Sequence, residues 1–105
     1  MLPKYIKIGP IKYPITTDQK QLEHRDALAY IVFDEPEIIL GETKSQTKNA
    51  AHLFHEIQHG VFLAANMDKG KTEEEVTACG NLWLTILLDT PDMLEYLMEI
   101  RDGKT

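Results

Sequence analysis

At 105 residues, with 43% apolar side chains, the chain predicts one globular domain over residues 1–105 with a modest core and no need for disulfides. Its single cysteine, Cys79, excludes an internal disulfide and favours the reducing cytoplasm. A formal net charge of −6 argues against nucleic-acid binding, and the sequence predicts neither a signal peptide nor a membrane span, which needs an apolar run of about 20 residues.

The first predicted element covers residues 5–15, where apolar and polar side chains alternate on both sides of Gly9-Pro10. This pattern predicts either a bent strand or a short hairpin. Pro14 suits an edge strand, because a proline has no N–H to donate to a neighbouring strand.

Residues 16–26 are polar and charged, and they predict either a loop or a short helix capped by Thr17 or Asp18. Residues 27–40 predict a second hairpin, since apolar runs flank the turn residues Asp34-Glu35-Pro36-Glu37. The N-terminal part therefore predicts a small antiparallel sheet. One edge of the second hairpin is a candidate site for an extended peptide, bound by strand addition.

A long helix is predicted from Ser45 to Met67, a segment that contains no proline and only one glycine, Gly60. Apolar residues recur along it at helical spacing. Ser45 and Thr47 are both candidates for its N-cap. With helices following a sheet, the predicted fold class is α+β, with the sheet packed on C-terminal helices.

The sequence His55-Glu56-Ile57-Gln58-His59 lies inside this helix and has the form H-E-x-x-H. Helical spacing puts the two histidines one turn apart, about 6 Å at Cβ, so both imidazoles can reach one metal ion. Glu56 can reach a metal-bound water without ligating the metal, and the metal lowers the pKa of that water to about 7. Two ligands and one base within five residues are typical of zinc metallopeptidases.

A catalytic zinc normally takes a third protein ligand, and the next predicted helix begins at Thr72 with three candidates, Glu73, Glu74 and Glu75. Acidic residues at a helix start also have a simpler role, because they complement the helix dipole. The residues expected on the inward face of this helix are Val76, Cys79 or Gly80, Trp83 and Leu87. Helical phase favours Glu73, which joins that face, with Glu75 second and Glu74 third.

The remaining sequence predicts a helix over 72–88 and a last helix to about Arg101, with Thr90 as its N-cap and Pro91 as its first residue. Two aromatic side chains are expected in the core: Phe62 and Trp83. Residues 96–98 are expected either to pack the last helix or to form an oligomer contact.

His52 shares the helical face of the motif but lies two turns, roughly 10–11 Å, from His59. A third ligand on the same helix would strain the geometry. His52 is therefore expected to be a half-buried histidine beside the site.

The order of these features resembles the minimal gluzincin metallopeptidases and the small phage and prophage relatives of the ImmA/IrrE-type metallopeptidases. The resemblance rests on Tyr5–Tyr13, Leu53–Gly60, Glu73–Val76 and Leu88-Asp89-Thr90-Pro91. It implies a zincin-like fold, a zinc site of His55, His59 and a glutamate on the next helix, and Glu56 as general base. It also implies a bacterial host cytoplasm if the protein is phage-encoded.

One position departs from the larger gluzincins, in which a residue one turn after the glutamate ligand, often aspartate, orients a zinc histidine. Here that residue is Thr77, a weaker hydrogen-bonding partner. No residue is assigned to stabilise the oxyanion, for which His24 and Tyr30 are candidates.

The leading hypothesis is a zinc-dependent metallopeptidase that acts on a peptide or protein substrate, with Zn²⁺ as cofactor and Glu56 as general base. The alternative is a catalytically inactive zincin-fold module that holds metal or recognises a protein partner such as a phage regulator. A third hypothesis is an ordinary α+β domain in which the motif occurs by chance. Metal content and a Glu56→Gln variant distinguish the three.

Overall fold

The computed structural model describes residues 2–25 and 27–103, in which strands precede most of the helices. The elements are β1 Tyr5–Ile8, β2 Ile11–Thr16, α1 Gln19–Arg25, β3 Ala29–Val32, β4 Glu37–Leu40, α2 Gln46–Ala64, α3 Glu73–Asp89 and α4 Pro91–Arg101. The predicted α+β class is confirmed, because an N-terminal sheet is followed by a helical C-terminal half.

The N-terminal segment contains a short hairpin, one of the two predicted alternatives. β1 and β2 pair antiparallel, and Gly9 takes a positive φ of 59° in the turn between them. The polar segment that follows forms a short helix, α1, and the Asp18 carboxylate caps it by accepting a hydrogen bond of 3.1 Å from the Gln21 N–H. The last residue of that predicted segment, Asp26, lies outside the described residues.

The four strands form one mixed sheet in the order β1-β2-β4-β3. β1 pairs antiparallel with β2, and β3 pairs antiparallel with β4. β2 and β4 are parallel, with Ile15 opposite Ile38 and Thr16 opposite Ile39. The prediction of an antiparallel sheet is therefore wrong at this one pair. α1 and β3 separate β2 from β4, and this long connection brings β4 back beside β2 in the same direction.

Pro14 lies in an interior strand, which corrects its predicted place at an edge. Because the Ile15 N–H donates to the Lys4 carbonyl at 2.9 Å, alternation along the strand turns the Pro14 nitrogen away from β1. Pairing with β4 begins only at Ile15. Neither neighbouring strand therefore needs a hydrogen bond from the Pro14 nitrogen, which faces away from β1 and precedes the residues that pair with β4.

The core lies between the sheet and α2. Its central buried residues are Ile8, Tyr13, Ile38, Leu40 and Leu53. The continuous apolar run of β4, residues 38–40, is buried along its whole length, as expected for a strand inside a covered sheet. Gly60 lets α2 approach β1 closely, because a Cβ at position 60 would lie only 2.6 Å from Ile8 Cδ1.

α3 packs along α2 through a narrow inward face, on which Val76, Gly80 and Leu84 are buried. Trp83, predicted in the core, is 52% exposed, and Phe62 is only half-buried. A helix that packs mainly on one neighbour buries one stripe, and Trp83 lies about 100° from Leu84 on the border of that stripe. The indole instead lines a shallow apolar groove beside α2.

α4 follows after Thr90, with Pro91 as its first residue as predicted, although the Thr90 side chain makes no capping hydrogen bond. None of the described α4 residues is buried. Across residues 2–25 and 27–103, no helix combines the length and apolar character needed to cross a membrane.

Candidate metal centre

The motif helix α2 has a firmly defined start. Ser45, one of the two predicted caps, accepts a hydrogen bond from the Lys48 N–H at 3.2 Å. Buried Asn49 holds the preceding loop, because its side-chain oxygen accepts from the Thr43 N–H at 2.7 Å. These contacts fix the N-terminal end of the helix, and the H-E-x-x-H residues follow in its middle turns, packed between the sheet and α3.

The three candidate glutamates at the start of α3 make different contacts. Glu75 completes a capping box, since Thr72 Oγ1 accepts from the Glu75 N–H at 3.1 Å and Glu75 Oε1 accepts from the Thr72 N–H at 3.2 Å. Glu74 is exposed and lies outside the cluster described next. Glu73, the first residue of the helix, is the one that faces the motif histidines.

Three donor side chains converge between α2 and α3. Glu73 Oε2 lies 2.8 Å from His55 Nε2, and Glu73 Oε1 lies 3.0 Å from His59 Nε2. The two imidazole centroids are 5.0 Å apart, with the rings at 72° to each other. One donor atom from each residue lies within 4.8 Å of the other two. The residues chosen from the sequence as metal ligands are therefore brought together.

The donor set fits a divalent metal ion of the zinc type. Two imidazole nitrogens and one carboxylate oxygen form the His₂Glu set used by catalytic zinc sites, with ligand distances of about 2.0–2.2 Å. Small side-chain adjustments would bring the present atoms to that spacing, and the exposed Glu73 side chain is free to make them. The three residues could therefore hold a metal ion, and that the ion is zinc remains the prediction made from the sequence.

Thr77 supports one of the histidines, as its position one turn after Glu73 suggested. Its Oγ1 lies 3.1 Å from His55 Nδ1. When Nδ1 carries the ring proton it donates to this hydroxyl, and the Nε2 lone pair is left directed at the cluster. In that tautomer Nε2 is available as a metal ligand, and the contact with Thr77 helps to orient the His55 ring.

Gly80 sets the distance between the two helices beside the motif. A Cβ at this position would lie 3.0 Å from the Phe54 carbonyl oxygen and 3.3 Å from the His55 nitrogen. Both contacts are with backbone, which cannot rotate aside as a side chain can. The missing side chain lets α3 run close to α2, and this brings Glu73 within reach of the histidines.

Glu56 differs from the three donors in its surroundings. It is only 7% exposed, whereas the Glu73 side chain is 72% exposed. Burial, with a smaller contribution from the negative charge of Glu73, raises the pKa of Glu56 to about 7. A carboxyl group with a pKa near 7 can both accept and release a proton at neutral pH.

A pocket of about 340 Å³ opens beside Glu56 and His55. Its lining residues are Leu28, Ala29, Ala51, His52, His55, Glu56, Thr77 and Asn81. Sequence reasoning missed Asn81, whose only signal is a polar side chain one turn after Thr77 in an apolar helix. Ala29 begins β3, an edge strand of the sheet, so the pocket lies between a sheet edge and the motif helix.

The other histidine and tyrosine candidates are not among the three converging donors. His52 is half-buried beside the site as predicted, and its Nδ1 is buried without a hydrogen-bond partner among the described residues. The Tyr30 hydroxyl donates to Gln21 Oε1 on α1. Neither Tyr30 nor His24 lines the pocket beside Glu56.

No protein-family profile, no curated protein and no solved structure matches this chain. The candidate site therefore rests on its residues and their geometry.

Proposed function

We propose that this protein is a zinc-dependent metallopeptidase of zincin-like fold that hydrolyses peptide bonds. The observation that carries the proposal is the convergence of His55, His59 and Glu73, with donor atoms within 4.8 Å of one another. A buried carboxyl group, Glu56, stands next to this cluster at a pocket. Motif spacing, ligand type and an adjacent base thus coincide at one place.

Each residue has a distinct role in this proposal. His55, His59 and Glu73 would hold the ion, and Thr77, through its contact with His55 Nδ1, would orient the His55 ring. The bound metal would act as a Lewis acid and lower the pKa of a water molecule. Glu56, buried next to the cluster at the pocket, accepts the proton of the attacking water and delivers it to the departing amine.

The edge strand β3 suits an extended peptide or protein segment as substrate. The Gly41 N–H donates to the Leu28 carbonyl at 3.0 Å, so alternation turns the backbone groups of Ala29 and Ile31 towards the unpaired edge. Ala29 also lines the pocket that contains Glu56. A peptide added along this edge would therefore run past the proposed base. By resemblance to the phage peptidases, the proposed setting is the cytoplasm, which is that of a bacterial host if the protein is phage-encoded.

The alternative function is a zincin-fold module that holds metal or binds a protein without cleaving it. The shape of the site favours it: a pocket of about 340 Å³ is at the small end of the roughly 300–1,000 Å³ that ligand sites occupy. Glu73 is also largely exposed, so water has free access to the cluster. A metal site of this kind can exist without a substrate cleft.

Metal analysis and peptide cleavage, measured on the wild type and Glu56→Gln, test the proposal. We expect about one zinc per chain in both proteins, because the Glu56→Gln change leaves the three ligands in place. The variant should lose cleavage by about 10²–10⁴-fold, the usual contribution of a general base. A matched control is Glu74→Gln, which removes an exposed carboxylate outside the cluster and should keep both metal and activity.

Each outcome separates the hypotheses. Protein without stoichiometric metal after reconstitution with zinc contradicts both the peptidase and the metal-holding module. Metal-loaded wild type that cleaves no member of a diverse peptide library favours the module. Cleavage at an undiminished rate by Glu56→Gln contradicts the role given to Glu56.

A further inference from the structure

The C-terminal half of α3 and the whole of α4 expose an unusual number of large apolar side chains. Ten of them are exposed: Leu82, Trp83, Ile86, Leu88, Met93, Leu94, Tyr96, Leu97, Met98 and Ile100. We call the surface formed by these ten residues the C-terminal apolar surface. It lies at the end of α3 remote from Glu73, so it does not belong to the candidate metal centre.

The apolar face of α4 is wider than one neighbouring helix can cover. At 100° per residue its six exposed apolar side chains span an arc of about 200°, and Asp92, Glu95 and Glu99 occupy the remainder. A helix that faces a core typically needs an apolar arc of about 100°. The wider arc of α4 indicates packing surfaces on more than one side.

The stability of α4 points the same way. The helix has 11 residues, and none of those described is buried. Isolated helices shorter than about 12–15 residues are marginal in water, and most helical stability comes from packing an apolar face. Within the described chain, the main contact of α4 is with its neighbour α3. A further packing partner would supply what the single chain lacks.

The outer face of α3 continues the same surface. Leu82 and Ile86 are exposed and lie one turn apart, while Leu84 on the opposite side is buried against the rest of the fold. Helical phase therefore places an apolar pair on the side of α3 that faces away from α2. The short link at Thr90 joins this pair directly to α4.

We propose that a second copy of this chain covers the C-terminal apolar surface. Ten side chains that each expose on the order of 100 Å² supply about 1,000 Å² per chain, and a stable interface needs about 800 Å² from each partner. The ten residues are uncharged, and the acids of α4 lie on the opposite arc. Arg101 is the one charged residue of α4 inside the apolar arc, and its Nε lies 3.2 Å from Asp102 Oδ1. Two copies of a chain with net charge −6 can therefore meet here without bringing the acids of α4 together.

Sedimentation velocity on the full chain, at concentrations up to about 100 µM, tests this proposal. We expect a dimer of twice the 12.0 kDa chain mass, with and without zinc. Leu97→Glu on α4 and Ile86→Glu on α3 should each weaken dimerisation at least tenfold, because a carboxylate would be buried at the contact. The matched control is Glu99→Gln, on the acidic arc of α4, which should leave the dimer unchanged.

Wild type that remains a 12.0 kDa monomer throughout this range overturns the proposal, as does a dimer that both glutamate variants leave intact. Amide hydrogen exchange in wild-type α4 gives a test that needs no variant. Protection that rises with protein concentration supports the dimer, and protection that is independent of concentration contradicts it. The metal content of the variants should equal that of the wild type, so failure here is distinct from failure of the proposed metal centre.

Discussion

The two ends of α3 expose side chains of opposite character. At the N-terminal end, Glu73 is 72% exposed, yet it contacts two histidines, and Thr77 contacts one of them. At the C-terminal end, Leu82 and Leu88 are each 64% exposed, and no residue in the described ranges buries them. The polar end finds its partners within the chain, while the apolar end leaves its surface open.

This difference shows that exposure alone does not identify a functional surface. An exposed carboxylate is ordinary, and Glu73 stands out only because two imidazole nitrogens lie within 3.0 Å of it. A scattered exposed leucine is equally ordinary, and the apolar end stands out because ten large apolar side chains are exposed on two helices joined at Thr90. The polar end is defined by contacts, and the apolar end by the area without them.

The largest effect expected at the polar end comes from Glu73→Ala. Loss of one of three ligands should weaken zinc binding by more than about 100-fold, beyond the 10–100-fold typical of residues that only support a ligand. Competition with a chromophoric chelator measures this affinity. Ile86→Gln at the apolar end is the control and should bind zinc as the wild type does. Equal affinity in Glu73→Ala and the wild type would show that Glu73 is not a ligand.

The next effect concerns the buried carboxyl group beside the cluster. The pKa of Glu56 is raised from 4.5 to about 7 in the fold, so the folded protein binds its proton more tightly than the unfolded chain does. The contribution of Glu56 to the free energy of unfolding is therefore fully present below about pH 4.5 and is lost as the pH rises towards 7. The free energy of unfolding should fall over this range by on the order of 2–3 kcal/mol because of this group.

Urea unfolding of metal-free protein in a chelator, across this pH range, measures the loss. Glu56→Gln cannot titrate, so its free energy of unfolding should fall less steeply with pH than that of the wild type. Glu74→Gln serves as the matched control and should keep the wild-type slope. Parallel pH profiles for the wild type and Glu56→Gln would contradict the raised pKa.

A smaller effect is expected from Thr77→Val, which keeps the shape of the side chain and removes the hydroxyl that contacts His55 Nδ1. Zinc affinity should fall by about 10-fold, at the low end of the range for a residue that orients a ligand. Thr77→Ser retains the hydroxyl and loses the methyl group, and it should bind zinc almost as tightly as the wild type. If Thr77 acted only through packing of its methyl group, Thr77→Ser would instead be the weaker binder. Thr85→Val, at the other end of α3, should not affect zinc.

The candidate site was predictable because it depends on local helical periodicity. The spacing of His55 and His59 requires only that α2 is helical, and a proline-free segment with apolar residues at helical spacing made that prediction safe. Helical phase relative to Val76 and Gly80 favours Glu73, and the structure buries both of these residues against α2. Within one helix, the number of residues between two positions gives the angle between their side chains about the helix axis.

The remaining features depend on which elements meet, and periodicity carries no such information. Alternation predicts that β2 and β4 are strands but not that they pair in parallel, because that pairing follows from the path of the chain through α1. The exposure of Trp83 likewise depends on α3 packing mainly on one neighbour. The pocket beside Glu56 combines Leu28, Ala51 and Asn81 from separate parts of the chain, and no local pattern relates them.

The capping box at Thr72 also fixes the rotational register of the candidate ligands. Glu73 directly follows the cap, so its direction about the helix axis is set by where α3 begins and not by the length of the turn before it. Residues inserted into the 66–71 connection would leave that direction unchanged. A single residue inserted between 73 and 76 would rotate the carboxylate by about 100° relative to the face packed on α2. The connection is therefore free to vary in length, whereas the first turn of α3 is not.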